Sequence, residues 1–446
     1  MYCLHVQVNA ENEMKNFLYN FFKLKKHHSS IKVEIISGVT IFITMLYIIP
    51  LNGEIMKITG MNYDAVITAT AVATIFATVI TGLWAKTPIA MSVGLGLNSY
   101  FAVVLVQGQK LPWQTVLGIV FLSGAIFLIL TITKIRALII KNILPEFRIA
   151  ISAGIGLFIA FIGLVNMKVI AKHPETLVTI GNLGDKNVLL GIIGLFIVIL
   201  LVVWKVRGAF IISVVATTLI GIVLGITKAP SALVSMPGSM KPVFLQLDIL
   251  GALKPALIAP VITFMLTDLF DSLGTLAGVG YRVGMFEDGD NKPVQKTLEV
   301  DAIATVAGSL FGVSTTTAFI ESAAGVEEGG RTGLTAVITG LCFVLTLFML
   351  PLFKAIPANA IFPILIIVGF LMFADLKHIT FSNLDIGIPA FLIIIIMPFT
   401  FSITKGLAAG FISYVFIKLV KGKCKDLNAV LIILGCVSIL AFVFES

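Results

Sequence analysis

Residues 314–325 read STTTAFIESAAG, Ser314 to Gly325. Three threonines and a flanking Gly312-Val313 favour extended backbone. The following Glu321-Ser-Ala-Ala favours helix. The stretch therefore predicts a short extended piece running into a half-helix, with the Glu321 carboxylate near the helix N-terminus. In water this would be an unremarkable turn. In a membrane it would be a break in the one structure that satisfies its own backbone, tolerated only where protein or a cavity covers it. Which solvent surrounds it decides the fold.

The rest of the chain answers. Of its 446 residues, 58% are hydrophobic and 12% charged, with mean hydropathy +1.07. A soluble domain carries roughly 25% charged residues. Apolar runs of about 20 residues recur from Ile31 onward, the length needed to cross a bilayer. They predict an all-α polytopic membrane protein of fourteen spans, from 31–50 to 403–420. The third, 89–106, and the tenth, 314–326, are short and broken by Gly, Ser or Thr. A further apolar run, 427–444, follows a basic linker and can span the membrane or lie along it. The first 33 residues are basic without an early apolar core or cleavage site, so the first span is expected to serve as its own insertion signal. With the N-terminus cytoplasmic, 21 of the 31 Lys and Arg fall in inside loops and 10 outside, as the positive-inside rule requires. That distribution accounts for the +8 net charge and argues against a nucleic-acid partner. The four cysteines are scattered with no CxxC, so neither a disulfide nor a metal site is expected.

A weak internal repeat connects the two broken spans. Half the chain length separates Glu321 from Asn98, which lies in KTPIAMSVGLGLNSYFAVVL, Lys86–Leu105. There "PIAMSV" reads as extended and a half-helix is expected from about Asn98. Seven spans per half is an odd number, so the halves would be inverted relative to each other. Paired interrupted segments in inverted halves mark a transporter's site. Two half-helix N-termini, each a positive dipole end, would face each other across a polar pocket.

Among the 23 acids, Asp268, Asp271 and Glu321 stand clear of loops and span ends. A central carboxylate costs roughly 2.5–3.5 kcal/mol on insertion scales. A partner, a water-filled cavity or protonation must offset that cost. Asp268 and Asp271, in TDLFDSLGTLAG, Thr267–Gly278, lie one turn apart on one helix face, which Thr275 extends. They read either as proton carriers or as members of a packing network with nearby hydroxyls. Asn98 reads as a ligand-binding amide or an interhelical hydrogen-bonder. Gly94 and Gly96 would allow close backbone approach, but their GxG lacks the strand–helix context of a dinucleotide site. The five histidines lie in loops or the tail, with no metal-ligand spacing.

The stretches GLGLNSYFA, TDLFDSLGTLAG and STTTAFIESAAGVEEGGRTGLT resemble the signatures of AzgA-like adenine/guanine/hypoxanthine permeases of the nucleobase–cation symporter-2 group. The resemblance spans about residues 31 to 420. It implies two inverted repeats of seven spans, with short strands in spans 3 and 10. It implies a core domain of 31–134 and 257–353, and a gate domain of 135–256 and 354–420. These would be flanked by a cytoplasmic tail, 1–30, and a C-terminal segment, 421–446. It implies that Asn98, Asp268 and Glu321 bind a purine nucleobase and that Asp271 shares in function. Thr317, Phe319 and Gly96 lie beside these motifs and are expected to line the site. Phe101 and Phe319 could stack on the base or simply pack.

A carboxylate accepts from two adjacent N–H groups, and an amide offers both a donor and an acceptor, which suits a purine edge. The expected function is proton-coupled purine uptake by alternating access across the cytoplasmic membrane. Asp268, Asp271 and Glu321 are the candidate proton-coupling groups. No cofactor beyond the coupled proton is expected, and the resemblance implies pairing of two copies through the gate domain. A carrier of xanthine, uracil or an inorganic anion on the same fold is the alternative, although several acids disfavour an anion. A channel or an intramembrane enzyme is the third reading. No His or Cys near the acids supplies enzyme chemistry.

Overall fold

Several helices begin at a side chain that caps them. The Ser30 side chain accepts from the Val33 amide, Asn62 from Ala65, Asp185 from Asn187, Thr332 from Leu334 and Ser402 from Lys405. Each supplies an acceptor to the otherwise unpaired first turn. The computed structural model describes residue 13, residues 15–133, 144–283 and 292–423, and the isolated positions 427, 431 and 435. Apart from those isolated positions, the expected apolar run 427–444 lies outside the described residues.

Among the described residues, seven helices are long and apolar enough to cross a membrane: Ile31–Lys57, Tyr63–Ala85, Trp113–Ile132, Pro145–Asn166, Lys186–Val203, Ala358–His378 and Ile403–Val420. Shorter apolar helices are Leu95–Gly108, Ala209–Val223, Pro255–Leu269, Gly333–Phe348 and Leu384–Thr400. The helix Lys292–Phe311 precedes the tenth expected span, 314–326, whose second part is the helix Ser322–Glu327.

Among the described residues, four short strands accompany the helices: β1 (Met91–Val93), β2 (Ile170–His173), β3 (Leu177–Ile180) and β4 (Thr316–Ala318). β2 and β3 form an antiparallel hairpin, Ile170 opposite Ile180. β1 and β4 come from the two broken spans and pair antiparallel, Met91 opposite Ala318, Ser92 opposite Thr317 and Val93 opposite Thr316. The expected strands in spans 3 and 10 are therefore one two-stranded unit.

Two strands leave edges to satisfy, and unmet backbone groups in a buried site are costly. The same device serves both. The Thr78 hydroxyl, on Tyr63–Ile80, donates to the Met91 carbonyl (2.8 Å) and accepts from the Met91 amide (3.0 Å). Thr305, on Lys292–Phe311, treats Thr316 likewise, at 3.1 and 3.2 Å. One threonine per half stands in for a missing neighbouring strand.

The helix Gly333–Phe343 packs on Ile31–Met45 and Tyr63–Ile80, and Lys292–Phe311 packs on Trp113–Ile132 and Tyr63–Ile80. Elsewhere Pro145–Asn166 packs on Ala358–Phe373 and Leu384–Thr400, and Lys186–Val203 packs on Ala209–Val223 and Ala358–Phe373. Buried Glu34 ties the first helix to the start of Gly333–Phe343. It accepts from the amides of Arg331, Thr332 and Thr335 and from the Thr335 hydroxyl. Part of the expected N-terminal tail is folded: Phe22 and Leu24 are buried beside Leu334. Lys86 donates to the Phe21 carbonyl at 3.0 Å, its ammonium 4.1 Å from the Phe21 ring centre.

Candidate functional site

The β1–β4 pair fixes two half-helices that leave it in different directions. After β1, Gly94 is extended and Leu95–Ser99 follows, continuing into the π-helical Tyr100–Gly108. After β4, the chain turns through Ile320 and Glu321 into Ser322–Glu327. Crosslinks hold the crossing. The Gly94 amide donates to the Thr315 carbonyl (2.9 Å), Phe319 to the Ala90 carbonyl (3.0 Å), and Ala90 to the Ser322 hydroxyl (3.0 Å).

The half-helix lead-ins differ from expectation. Glu321 is the residue immediately before its half-helix, as predicted. Asn98 is the fourth residue of its own half-helix, which starts three residues earlier than expected because extended Gly94 already ends the strand. The amides of Ser322, Ala323 and Ala324 are taken by the carbonyls of Phe319, Ile320 and Glu321. The mouth of the second half-helix therefore presents its carboxylate rather than free N–H groups.

Glu321 accepts a hydrogen bond from the Tyr47 hydroxyl at 2.6 Å. Tyr47 lies between the helices Ile31–Met45 and Ile48–Lys57. Asp271 lies one helical turn beyond Asp268 on Ile258–Arg282. Asp268 is buried, with a carboxylate oxygen 3.0 Å from the Thr305 hydroxyl, which shares its one hydrogen between Asp268 and the Thr316 carbonyl of β4. Asn98 is fully buried and donates to the Asn52 carbonyl oxygen at 2.5 Å. Asn52 in turn donates to Thr70 at 2.7 Å. The helix Ile258–Arg282, which carries Asp268 and Asp271, touches β4 and both half-helices. Asn98, Asp268, Asp271 and Glu321 thus gather around one crossing.

The remaining expected lining residues are committed elsewhere. The Thr317 hydroxyl lies 2.8 Å from that of Ser272, which donates to Asp301 at 2.7 Å. Phe319 and Phe101 are both core residues. A side chain at Gly96 would meet Ile155 Cγ2 at 2.6 Å. That glycine is where the first half-helix lies against Pro145–Asn166, the close approach its motif suggested. Across the same boundary, the Thr404 hydroxyl lies 2.8 Å from both the Tyr100 and the Thr263 hydroxyls.

Sequence reasoning missed Tyr47, Asn52, Thr70, Thr305 and Asp301. Four of these are neutral, and in a membrane helix a Tyr, Asn or Thr carries no burial penalty large enough to flag it. Asp301 was discounted as a span end, yet it is fully buried.

A profile described as "Permease family" matches residues 32–409. The chain is 41% identical to the adenine permease AdeP of Escherichia coli (strain K12), over 98% of each chain. It is 39% identical to the guanine/hypoxanthine permease PbuO of Bacillus subtilis (strain 168), over 92% of this chain and 97% of that one. Among solved structures, the transmembrane domain of the cyanobacterial bicarbonate transporter BicA superposes with TM-score 0.62. That match has 16% identity and covers 82% of this chain and 96% of that one. The last likeness speaks for the fold alone.

Proposed function

This chain belongs to that permease family, and from this premise we propose that it imports purine nucleobases, coupled to protons, by alternating access. It is an integral membrane protein and a carrier rather than an enzyme. The observation that carries the proposal is the crossing itself. Asn98, Asp268 and Glu321 come from three separate elements; Asn98 and Asp268 are buried and Glu321 is half-buried, and each is held by a neighbour's hydroxyl or amide. Relatives named for adenine and for guanine and hypoxanthine support the substrate class. A planar base bearing N–H groups on its edges suits a site with several acceptors. A site built to pair polar edges rejects molecules that leave its groups unmet.

In the proposed cycle, protonation of a carboxylate at the crossing accompanies purine binding, with Asp268 the foremost candidate and Asp271 and Glu321 beside it. The two helix sets then move relative to each other. Residues 31–134 and 257–353 act as the core and 135–256 and 354–420 as the gate, as two inverted sets of seven spans. The Tyr100–Thr404–Thr263 hydroxyl cluster bridges them and must part during the movement. The N-terminus is cytoplasmic, the membrane is the cytoplasmic one, and two copies pair through the gate.

The test is uptake of labelled adenine, guanine and hypoxanthine by cells expressing the chain, with and without a protonophore. Accumulation that collapses with the protonophore is expected, with competition by purines and not by uracil or sulfate. No accumulation of any purine overturns the proposal, and protonophore-insensitive uptake removes its coupling step.

A further inference from the structure

We infer that Asn52 sets the orientation of the Asn98 amide, so that Asn98 offers the purine an acceptor and reads one of its N–H groups. The inference rests on the purine reading above and specifies what one of its contacts recognises.

The argument follows hydrogens along a buried chain. A threonine hydroxyl has one hydrogen to give. Thr70 gives its hydrogen to the Val66 carbonyl at 2.7 Å. Towards Asn52 it can then only accept, so the Asn52 Nδ2 faces it at 2.7 Å. That turns the Asn52 Oδ1 towards Asn98, which must answer with its own Nδ2, at 2.5 Å. The Asn98 Oδ1 is left over. It is buried and has no hydrogen-bond partner among the described residues. Asn52, Thr70 and Asn98 are all fully buried, so bulk water does not compete for these links, and reversing the amides would require every link to turn over together.

The unmet Asn98 oxygen is an acceptor on a half-helix that touches Ile258–Arg282, the helix of Asp268, which also touches the half-helix after Glu321; both carboxylates are acceptors when ionised. Such a site prefers a base that brings N–H groups. Removing the N–H that meets Asn98 should weaken binding about tenfold to a hundredfold, the usual scale for one buried unmet group. Asn52 never touches the base; it is a positioning residue.

The experiment measures competition against labelled purine uptake by a series of analogues, each lacking one N–H. An exocyclic amino group is replaced by hydrogen, or a ring N–H by N–methyl. The panel is run on the unmodified chain and on Thr70→Ser, Thr70→Val, Asn52→Asp and Asn52→Leu, with the amount of folded protein in the membrane measured for each. Steric effects of an analogue cancel because the same analogue is compared across variants. Thr70→Ser keeps the hydroxyl, and Asn52→Asp still needs a donor from Asn98, so both are expected to keep the unmodified discrimination. Thr70→Val and Asn52→Leu release the amide, and the penalty for one particular missing N–H should fall about tenfold. Lower uptake with the whole discrimination pattern unchanged in both releasing variants overturns the inference and leaves the purine reading standing. If only one of the two folds, its pattern decides. If the unmodified chain takes up no purine, both readings fall.

Discussion

The two broken spans have nearly the same backbone and different chemistry. Each runs from a strand of three residues into a half-helix, and each strand's first residue is clasped at both N–H and C=O by a threonine from the preceding helix. The first span puts an amide one turn inside its half-helix, fixed by another amide. The second puts a carboxylate at the mouth, fixed by a phenol. The Thr78 hydroxyl meets its strand, whereas the Thr305 hydroxyl shares its one hydrogen between its strand, the Thr316 carbonyl at 3.1 Å, and the Asp268 carboxylate at 3.0 Å. The repeat therefore sets where the backbone breaks, and each half sets what is displayed there. One half presents a fixed neutral contact, and the other a group whose charge can change.

The comparison can be broken most directly at its charged member. Glu321→Gln keeps the shape and removes the charge, and should lower uptake by about a hundredfold or more. Uptake within a few-fold of normal would show the two halves to be equivalent after all.

The next effect tests the neutral half. Gly96→Ala places a methyl against Ile155 Cγ2 and should reduce uptake about tenfold, on the scale of a small overpacking cost. Ile155→Ala in the same chain should restore most of it, because the clash is with a side-chain tip. Failure of that rescue would detach the half-helix's seating from the site.

Tyr47→Phe removes the Glu321 donor at little cost in volume. A rise in KM of about tenfold is expected, the scale of one charge-assisted hydrogen bond, with the amount of folded protein unchanged. An unaltered KM would mean that Glu321 is placed by its turn alone.

The smallest expected effect sharpens the contrast between the two threonines. Thr78→Val and Thr305→Val should each cost about 1 kcal/mol of stability, read as similar losses of thermal midpoint in detergent. Only Thr305→Val should also slow purine accumulation, by a few-fold, because it removes the Asp268 donor as well. Equal transport losses would deny Thr305 its second role.

Much of this was legible in the chain because charge is expensive in a membrane. Asp268, Asp271 and Glu321 stood out against apolar surroundings, and Gly and Thr marked where a helix could not continue. The similarity of the two breaks linked them as a repeat, but neither the pairing of their strands nor the register followed from it. A count of residues matched Asn98 to Glu321, while the structure shows one inside a half-helix and the other before it, since Gly94 and the Ile320–Glu321 turn end their strands by different means. The partners Tyr47, Asn52 and Thr305 could not be read. Uncharged polar side chains are common in membrane helices, and only three-dimensional proximity separates a Thr that holds an acid from one that bonds its own helix, as Thr44, Thr131 and Thr400 do.

The pairing of β1 with β4 has a consequence for how the chain is made. The partner of β1 lies about 220 residues further along, so at ~5–20 residues per second the ribosome delivers it roughly 10–45 s later. Throughout that interval the first half sits in the membrane with a strand and no mate. Thr78, 13 residues upstream of Met91, is available from the outset to occupy both polar groups at the strand's start, and Thr74 lies 2.7 Å from the Ser92 hydroxyl. The hydroxyls that trim the finished sheet can thus also shelter its first half during synthesis. Loss of Thr78 should then show as lower yield from the translocon before it shows as lower stability of the completed carrier.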